Sequence, residues 1–171
     1  GGRNRICFFD PAMQQSLVAR AETESALRRV IEEGQLVLYY QPQIEDGERI
    51  VGAEALLRWK HPQRGLVQPA EFIPLAEETG LIVPIGNWVL EAACRQLRDW
   101  QEDAATRELV MAVNVSARQF HQPNFVSGVR QILQQTGAAP SRLKLELTEN
   151  VIIDDIEDTI EKMQELKSMG I

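Results

Sequence analysis

The second half of the chain repeats one order of elements, an apolar strand followed by an amphipathic helix, and this order constrains the fold most. Residues 109–115 form a nearly unbroken apolar run, which is typical of a strand covered on both faces. Apolar residues recur at helical spacing over 125–133, and Gly137 ends that segment. The order then repeats with a strand over 143–148 and a helix over 156–166. Two such units predict a parallel α/β fold, either a barrel or a doubly wound sheet.

The first half begins with a predicted helix and a predicted pair of antiparallel strands. The helix covers 11–34, because an aspartate N-cap and a proline precede its apolar residues and a glycine stops it. Strands are predicted over 36–44 and 50–59. The Asp46-Gly47 pair between them is a strong hairpin signal. These two strands are therefore expected to pair directly.

Prolines and a glycine organise the middle of the chain. Pro69 and Pro74 are predicted to open short helical turns that end at Gly80. Pro84 is predicted to open a longer helix, because apolar residues then recur on one face up to Trp100 while the far side is charged. This helix is expected to cover the sheet.

Composition excludes several classes of protein. The chain has 171 residues, and its 44% apolar content is enough for the core of one domain. It carries 25 acidic and 18 basic residues, and a net charge of -7 has the wrong sign for binding a DNA or RNA duplex through its phosphates. Its apolar runs fall short of the ~18 residues of a membrane span, so no membrane contact is expected from this segment. Two cysteines, Cys7 and Cys94, make no disulfide framework and fit a reducing cytoplasm.

Polar residues at the predicted strand ends indicate a candidate site, because parallel α/β folds bind ligands there. Glu54 interrupts an apolar strand, Asn114 ends the next apolar run, Glu146 lies near the end of the last strand, and Glu149 follows just past it. The carboxylates of Glu54 and Glu146 and the amide oxygen of Asn114 suit Mg²⁺ or Mn²⁺ and suit zinc poorly. This chemistry suggests a phosphate substrate.

Glu54, Asn114 and Glu146 also have purely structural interpretations, which spacing alone favours. Glu54 could pair with Arg58, Glu146 could pair with Lys144, and Asn114 could cap the turn after its strand. Gln41, near the end of the first strand, and Arg58 could instead contact a ligand. The planar fork of Arg58 is suited to phosphate oxygens, although an arginine near a strand end is more often a surface residue.

Five ordered segments resemble signatures of the EAL domain family, the bacterial cyclic di-GMP phosphodiesterases, and they occur at about the spacing of that family. These segments are Tyr40–Gln43, Gly52–Trp59, Pro69–Gly80, Asn114–Ser116 and Glu146–Glu149. Five ordered motifs make chance agreement very improbable. The resemblance covers residues 36–171 and implies the N-terminal portion of a TIM-like (β/α) barrel with an antiparallel first strand.

The resemblance also implies a reaction and a role for each site residue. The reaction is hydrolysis of one phosphodiester bond of cyclic di-GMP to give pGpG, with two Mg²⁺ or Mn²⁺ ions. The implied roles comprise metal ligands at Glu54, Asn114 and Glu146, catalytic residues at Glu54 and Glu149, and substrate contacts at Gln41, Leu56 and Arg58. Glu149 is expected to steady a loop that completes the site.

The resemblance implies a larger parent protein. Complete EAL domains continue into a DDFGTG motif and later supply a lysine, a glutamate and a glutamine, so residues 35–171 are expected to form a truncated domain that is inactive alone. Residues 1–10 resemble the tail of a GGDEF domain, which makes 11–34 an interdomain linker helix. We expect a cytoplasmic homodimer, with any membrane anchor located upstream. The alternative is a degenerate EAL domain that only binds cyclic di-GMP or a protein partner.

Overall fold

The computed structural model describes residues 11–147 and 156–171, which form a sheet with helices packed along one face. Glu149, Cys7 and the expected GGDEF-like tail over 1–10 lie outside the described residues. The described α-helices and β-strands in chain order are α1 (Pro11–Arg29), β1 (Leu36–Glu45), β2 (Arg49–His61), β3 (Gly65–Val67), α2 (Pro69–Thr79), α3 (Ile82–Trp100), β4 (Val110–Val115), α4 (Ala117–Phe120), α5 (Phe125–Thr136), β5 (Leu143–Leu147) and α6 (Ile156–Ser168).

The strand order confirms both the hairpin and the parallel units. The sheet runs β1-β2-β4-β5, and β3 pairs with the end of β2. Strands β1 and β2 are antiparallel, whereas β2, β4 and β5 are mutually parallel. The turn between β1 and β2 has positive φ at Asp46 (53°) and Gly47 (80°). Two such residues give a hairpin turn the twist of its strands, so the Asp-Gly pair determines the antiparallel start.

The two faces of the sheet differ in chemistry. On β2, Ala53, Ala55 and Trp59 are buried in the core cluster that includes the helices, and Met111 and Val113 belong to the same cluster on β4. Because side chains alternate along a strand, the residues between them project from the opposite face. The predicted site residues in the described strands all lie on that second face, which we call the site face: Gln41, Glu54, Leu56, Arg58, Asn114 and Glu146.

The helices differ from the sequence prediction in their boundaries. Pro74 lies inside α2, so the two short turns predicted at Pro69 and Pro74 are one helix. Helix α3 begins at Ile82 rather than at Pro84, which a proline in the first turn permits because its missing N–H has no partner there. The short elements β3 and α4 were not predicted, since three or four residues show no reliable periodicity.

Helix α1 docks through its C-terminal end. Leu27 and Val30 are buried, whereas Leu17 and Val18 nearer its start are more than half exposed.

Among residues 11–147 and 156–171, no helix combines the length and hydropathy needed to cross a bilayer.

The thiol of Cys94 on α3 is buried, and burial raises its pKa to about 12. Only the thiolate is alkylated, so at pH 8 roughly one molecule in ten thousand presents the reactive form. We predict that iodoacetamide leaves Cys94 unmodified in the native protein and modifies it fully in denaturant, as measured by peptide mass spectrometry. Rapid labelling under native conditions would contradict the burial of this thiol.

Candidate functional site

Glu54 and Asn114 meet across two neighbouring strands. The Asn114 Nδ2 donates a hydrogen bond to the Glu54 Oε1 at 2.6 Å. Glu54 lies opposite Ala112 in the parallel pairing of β2 and β4, and Asn114 is two residues further along the same face. Sixty residues of chain separate the two side chains, so it is the pairing register that brings them together.

Glu146 extends this group to a third strand. It lies directly opposite Asn114 in the pairing of β4 and β5. The Glu146 carboxylate forms the predicted ion pair with Lys144, whose Nζ lies 2.7 Å from Oε1. The Lys144 side chain is 57% exposed, so this pair is screened by solvent and is expected to be weak. The ion pair therefore leaves the carboxylate able to exchange its partner for a cation.

The other two structural alternatives are wrong for the described residues. Arg58 donates from Nη1 to the Leu57 carbonyl at 2.8 Å instead of pairing with Glu54. Four residues of strand span about 13 Å, which holds Glu54 and Arg58 apart. The cap after β4 is Ser116 rather than Asn114, because the Ser116 Oγ accepts a hydrogen bond from the Gln119 N–H at 3.2 Å at the start of α4.

The three predicted substrate contacts lie on the site face beside Glu54. Gln41 on β1 is directly opposite Glu54, and Leu56 and Arg58 follow Glu54 on β2. The Arg58 guanidinium lies over the Tyr39 ring, with its Cζ 5.9 Å from the ring centroid. The two strands of the hairpin thus place an amide, an apolar side chain and a cation on one face of the sheet.

A cleft of about 290 Å³ opens beyond Ala55 and Val113, where the pairing of β2 and β4 ends. Leu56, Arg58 and Asn114 line it from the strands. The helices contribute residues that the sequence analysis did not select, namely Ile73, Glu77, Ile85, Gly86, Ser116 and Gln119. A serine followed three residues later by glutamine is a capping pattern, so Ser116 and Gln119 had a recognisable signal. Glu77 had no recognisable sequence signal, because its position at the cleft depends on how α2 packs against the rest of the fold.

Hydrogen bonds hold the helices that form this cleft. Arg118 on α4 donates from Nη1 to the backbone carbonyls of Glu77 and Glu78 at the end of α2. The buried Gln119 donates from Nε2 to the Asn87 Oδ1 at 3.1 Å. These contacts fix α2 and α3 relative to α4, which begins directly after the strand that carries Asn114.

Helix α6 is attached to α4 through a buried lysine. The Lys162 Nζ donates to the Phe120 carbonyl at 3.1 Å and to the Asp158 Oδ2 at 2.7 Å. The hydrogen bond from Lys162 holds the pKa of Asp158 below its usual range, and His121 acts in the same direction. The helices that follow the strands of Asn114 and Glu146 are thereby held together.

The described side chains fit a divalent cation that prefers oxygen ligands. Glu54 and Glu146 supply carboxylates, and Asn114 uses its amide nitrogen toward Glu54, which leaves its carbonyl oxygen as an acceptor. Within 11–147 and 156–171, no three histidine, cysteine, aspartate or glutamate residues converge on one point. The described part of the chain therefore offers two carboxylates and one amide oxygen, which is fewer than the roughly six oxygen ligands that Mg²⁺ takes in an octahedral site.

The sequence matches known proteins along its whole length. The sequence model of the EAL domain matches residues 24–171. The bifunctional diguanylate cyclase/cyclic di-GMP phosphodiesterase MucR of Pseudomonas aeruginosa is 43% identical over 171 residues, which is 99% of this chain and 25% of MucR. The cyclic di-GMP phosphodiesterase PdeR of Escherichia coli is 37% identical over 170 residues, again 99% of this chain and 25% of the relative. The chain thus spans about a quarter of these two relatives.

The fold also matches a solved structure with a bound dinucleotide. The MucR phosphodiesterase of Pseudomonas aeruginosa in complex with c-di-GMP superposes with a TM-score of 0.83 at 44% sequence identity. The match covers 88% of this chain and 61% of that one. This superposition confirms the expected α/β fold, and this chain corresponds to part of the solved phosphodiesterase structure.

Proposed function

The chain belongs to the EAL domain family, and on that premise we propose that it is part of a phosphodiesterase that hydrolyses one phosphodiester bond of cyclic di-GMP to give pGpG. It contributes the N-terminal portion of a TIM-like barrel with an antiparallel first strand. The observation that carries the proposal is the 2.6 Å hydrogen bond between Asn114 and Glu54. Together with Glu146, which lies opposite Asn114, these two residues form a set at the strand ends that we call the ligand group.

We propose that Glu54, Asn114 and Glu146 hold Mg²⁺ or Mn²⁺. When bound, such ions activate water and neutralise charge on the phosphate. The hydrogen bond from Asn114 limits rotation of the Glu54 carboxylate, which orients it before a ligand arrives. Two strands separated in sequence thus preorganise one ligand group.

The substrate contacts in this proposal are Gln41, Leu56 and Arg58. Arg58 and Leu56 both line the cleft. The Arg58 guanidinium can donate to phosphate oxygens, and Leu56 offers an apolar contact. Gln41 is placed next to Glu54 by the hairpin register. Glu149 lies outside the described residues, and its proposed part is to steady a loop that completes the site.

The assembly and location of the parent protein are also proposals. Ile156, Ile160 and Met163 form an exposed apolar row on α6, and a cleft of about 440 Å³ runs between α6 and β5. We propose that further parts of the domain cover this surface. We also propose that the complete protein forms a homodimer and carries a GGDEF domain upstream of the EAL domain. The free buried thiol of Cys94 supports a reducing, cytoplasmic setting.

Hydrolysis by the complete protein tests the function. With Mg²⁺ or Mn²⁺, we expect chromatography to show cyclic di-GMP converted to pGpG, and chelation with EDTA to stop the reaction. The 171-residue segment alone is expected to show no turnover, because it spans 61% of the related phosphodiesterase structure.

The same experiment distinguishes the alternative. Binding of cyclic di-GMP without hydrolysis by the complete protein would identify a degenerate, regulatory domain. Neither binding nor hydrolysis would show that the proposed function is wrong. The retained Glu54, Asn114 and Glu146 favour the active enzyme, because a decayed site usually loses ligands.

A further inference from the structure

We propose that Tyr39 is a further substrate-contact residue, whose ring forms with Leu56 an apolar platform for a guanine base of cyclic di-GMP. This inference rests on the proposed function of the site face. Tyr39 was not selected from the sequence, although it precedes Gln41 by two residues and so projects from the same face of β1.

The register of the hairpin places Tyr39 among the proposed substrate contacts. Tyr39 lies directly opposite Leu56, while Gln41 lies opposite Glu54. Residues directly opposite each other in an antiparallel pair have Cβ atoms about 5 Å apart, so the Tyr39 and Leu56 side chains are neighbours. Since β2 runs from Glu54 through Leu56 to Arg58, Tyr39 lies beyond Glu54 toward the C-terminal end of β2, beside Leu56.

Two adjacent tyrosines of β1 have different surroundings. Tyr40 faces the helices, where it packs edge-on against Trp100 with ring centroids 5.7 Å apart, and burial raises its pKa. Tyr39 is 47% exposed on the site face. The ring of Tyr39 therefore has surface available for a ligand, whereas that of Tyr40 serves the core.

The cation beside Tyr39 indicates the class of ligand. The Arg58 Cζ lies 5.9 Å from the centre of the Tyr39 ring, close enough for a cation–π attraction that orients the guanidinium. A guanidinium next to an exposed aromatic ring combines hydrogen-bond donors for a phosphate group with a surface on which a base can stack. A nucleotide carries a phosphate and a flat base about one sugar apart, and it can engage both groups together.

Steady-state kinetics of the complete protein test this proposal. Tyr39→Leu is expected to raise KM for cyclic di-GMP about tenfold, the lower part of the range for loss of one base stack, and to leave kcat within about twofold. Tyr39→Phe is expected to keep a KM near that of the wild type, because stacking uses the ring and not the hydroxyl. The Mn²⁺ concentration for half-maximal activity is expected to stay unchanged in both variants.

Tyr40→Leu is the matched control, because it removes the neighbouring ring from the opposite face. We expect it to lower the melting temperature and leave KM unchanged. If Tyr39→Leu fails to fold, Tyr39→Gln replaces it, since a half-exposed position accepts a polar side chain.

The outcomes separate this inference from the proposed function. An inactive wild-type protein that does not bind cyclic di-GMP would refute the function itself. An active wild type in which Tyr39→Leu or Tyr39→Gln retains its KM, with or without a lower melting temperature, would refute only the role of Tyr39.

Discussion

Replacing Glu54 with glutamine is expected to reduce kcat for cyclic di-GMP on the order of a thousandfold, equivalent to about 4 kcal/mol of transition-state stabilisation. The substitution keeps the shape of the side chain and an oxygen that can accept the hydrogen bond from Asn114. It removes the negative charge that a divalent cation requires of its ligand. The measurement is Mg²⁺- or Mn²⁺-dependent hydrolysis by the complete protein, together with its thermal unfolding.

The hairpin provides a matched control for this experiment. Glu45 belongs to the same pair of strands and forms an exposed ion pair with Arg49. Glu45→Gln removes one charge from the surface and is expected to leave kcat and the melting temperature almost unchanged. Near-normal turnover by the Glu54→Gln protein would exclude Glu54 as a metal ligand.

Replacing Gly52 with alanine is expected to destabilise the fold by about 2–4 kcal/mol and to abolish most hydrolysis. A Cβ at Gly52 would lie 2.3 Å from the Val110 carbonyl oxygen, which is backbone of the neighbouring strand. Strands β2 and β4 would have to separate at this point, two residues before Glu54. The hydrogen bond between Glu54 and Asn114 depends on that pairing, so the loss of stability and the loss of activity have one cause.

Gly128 on α5 is the control for Gly52. A Cβ built at Gly128 meets no atom within 4 Å. Gly128→Ala is therefore expected to be neutral or to stabilise the helix by about 0.5–1 kcal/mol. Urea denaturation of both variants measures the difference in the free energy of unfolding. Equal stability of the Gly52→Ala protein and the wild type would mean that the strands can move apart without cost.

The two substitutions test different properties of one site. Glu54→Gln changes the charge and leaves the geometry, whereas Gly52→Ala changes the geometry and leaves the identity of every proposed ligand unchanged. Loss of activity with retained stability in the first, and loss of both in the second, would support a preorganised ligand group.

The sequence by itself determined the order of the longer elements and the chemistry of the proposed ligands. Local signals were sufficient for the Asp46-Gly47 hairpin and for the two strand–helix units, because turn preference and periodicity act over a few residues. The motifs around Glu54, Asn114 and Glu146 identified the family, because their order and spacing together are specific.

The tertiary structure alone decided which side chains meet. The pairing of β2 with β4 brings Asn114 onto Glu54 across sixty residues, and the register of the hairpin places Tyr39 opposite Leu56. Spacing suggested an Arg58 partner for Glu54, but the extended strand separates the two and directs Arg58 to the Tyr39 ring. Periodicity reports the face on which a residue lies and not its neighbour on the next strand, because the register depends on the packing of the whole sheet against its helices.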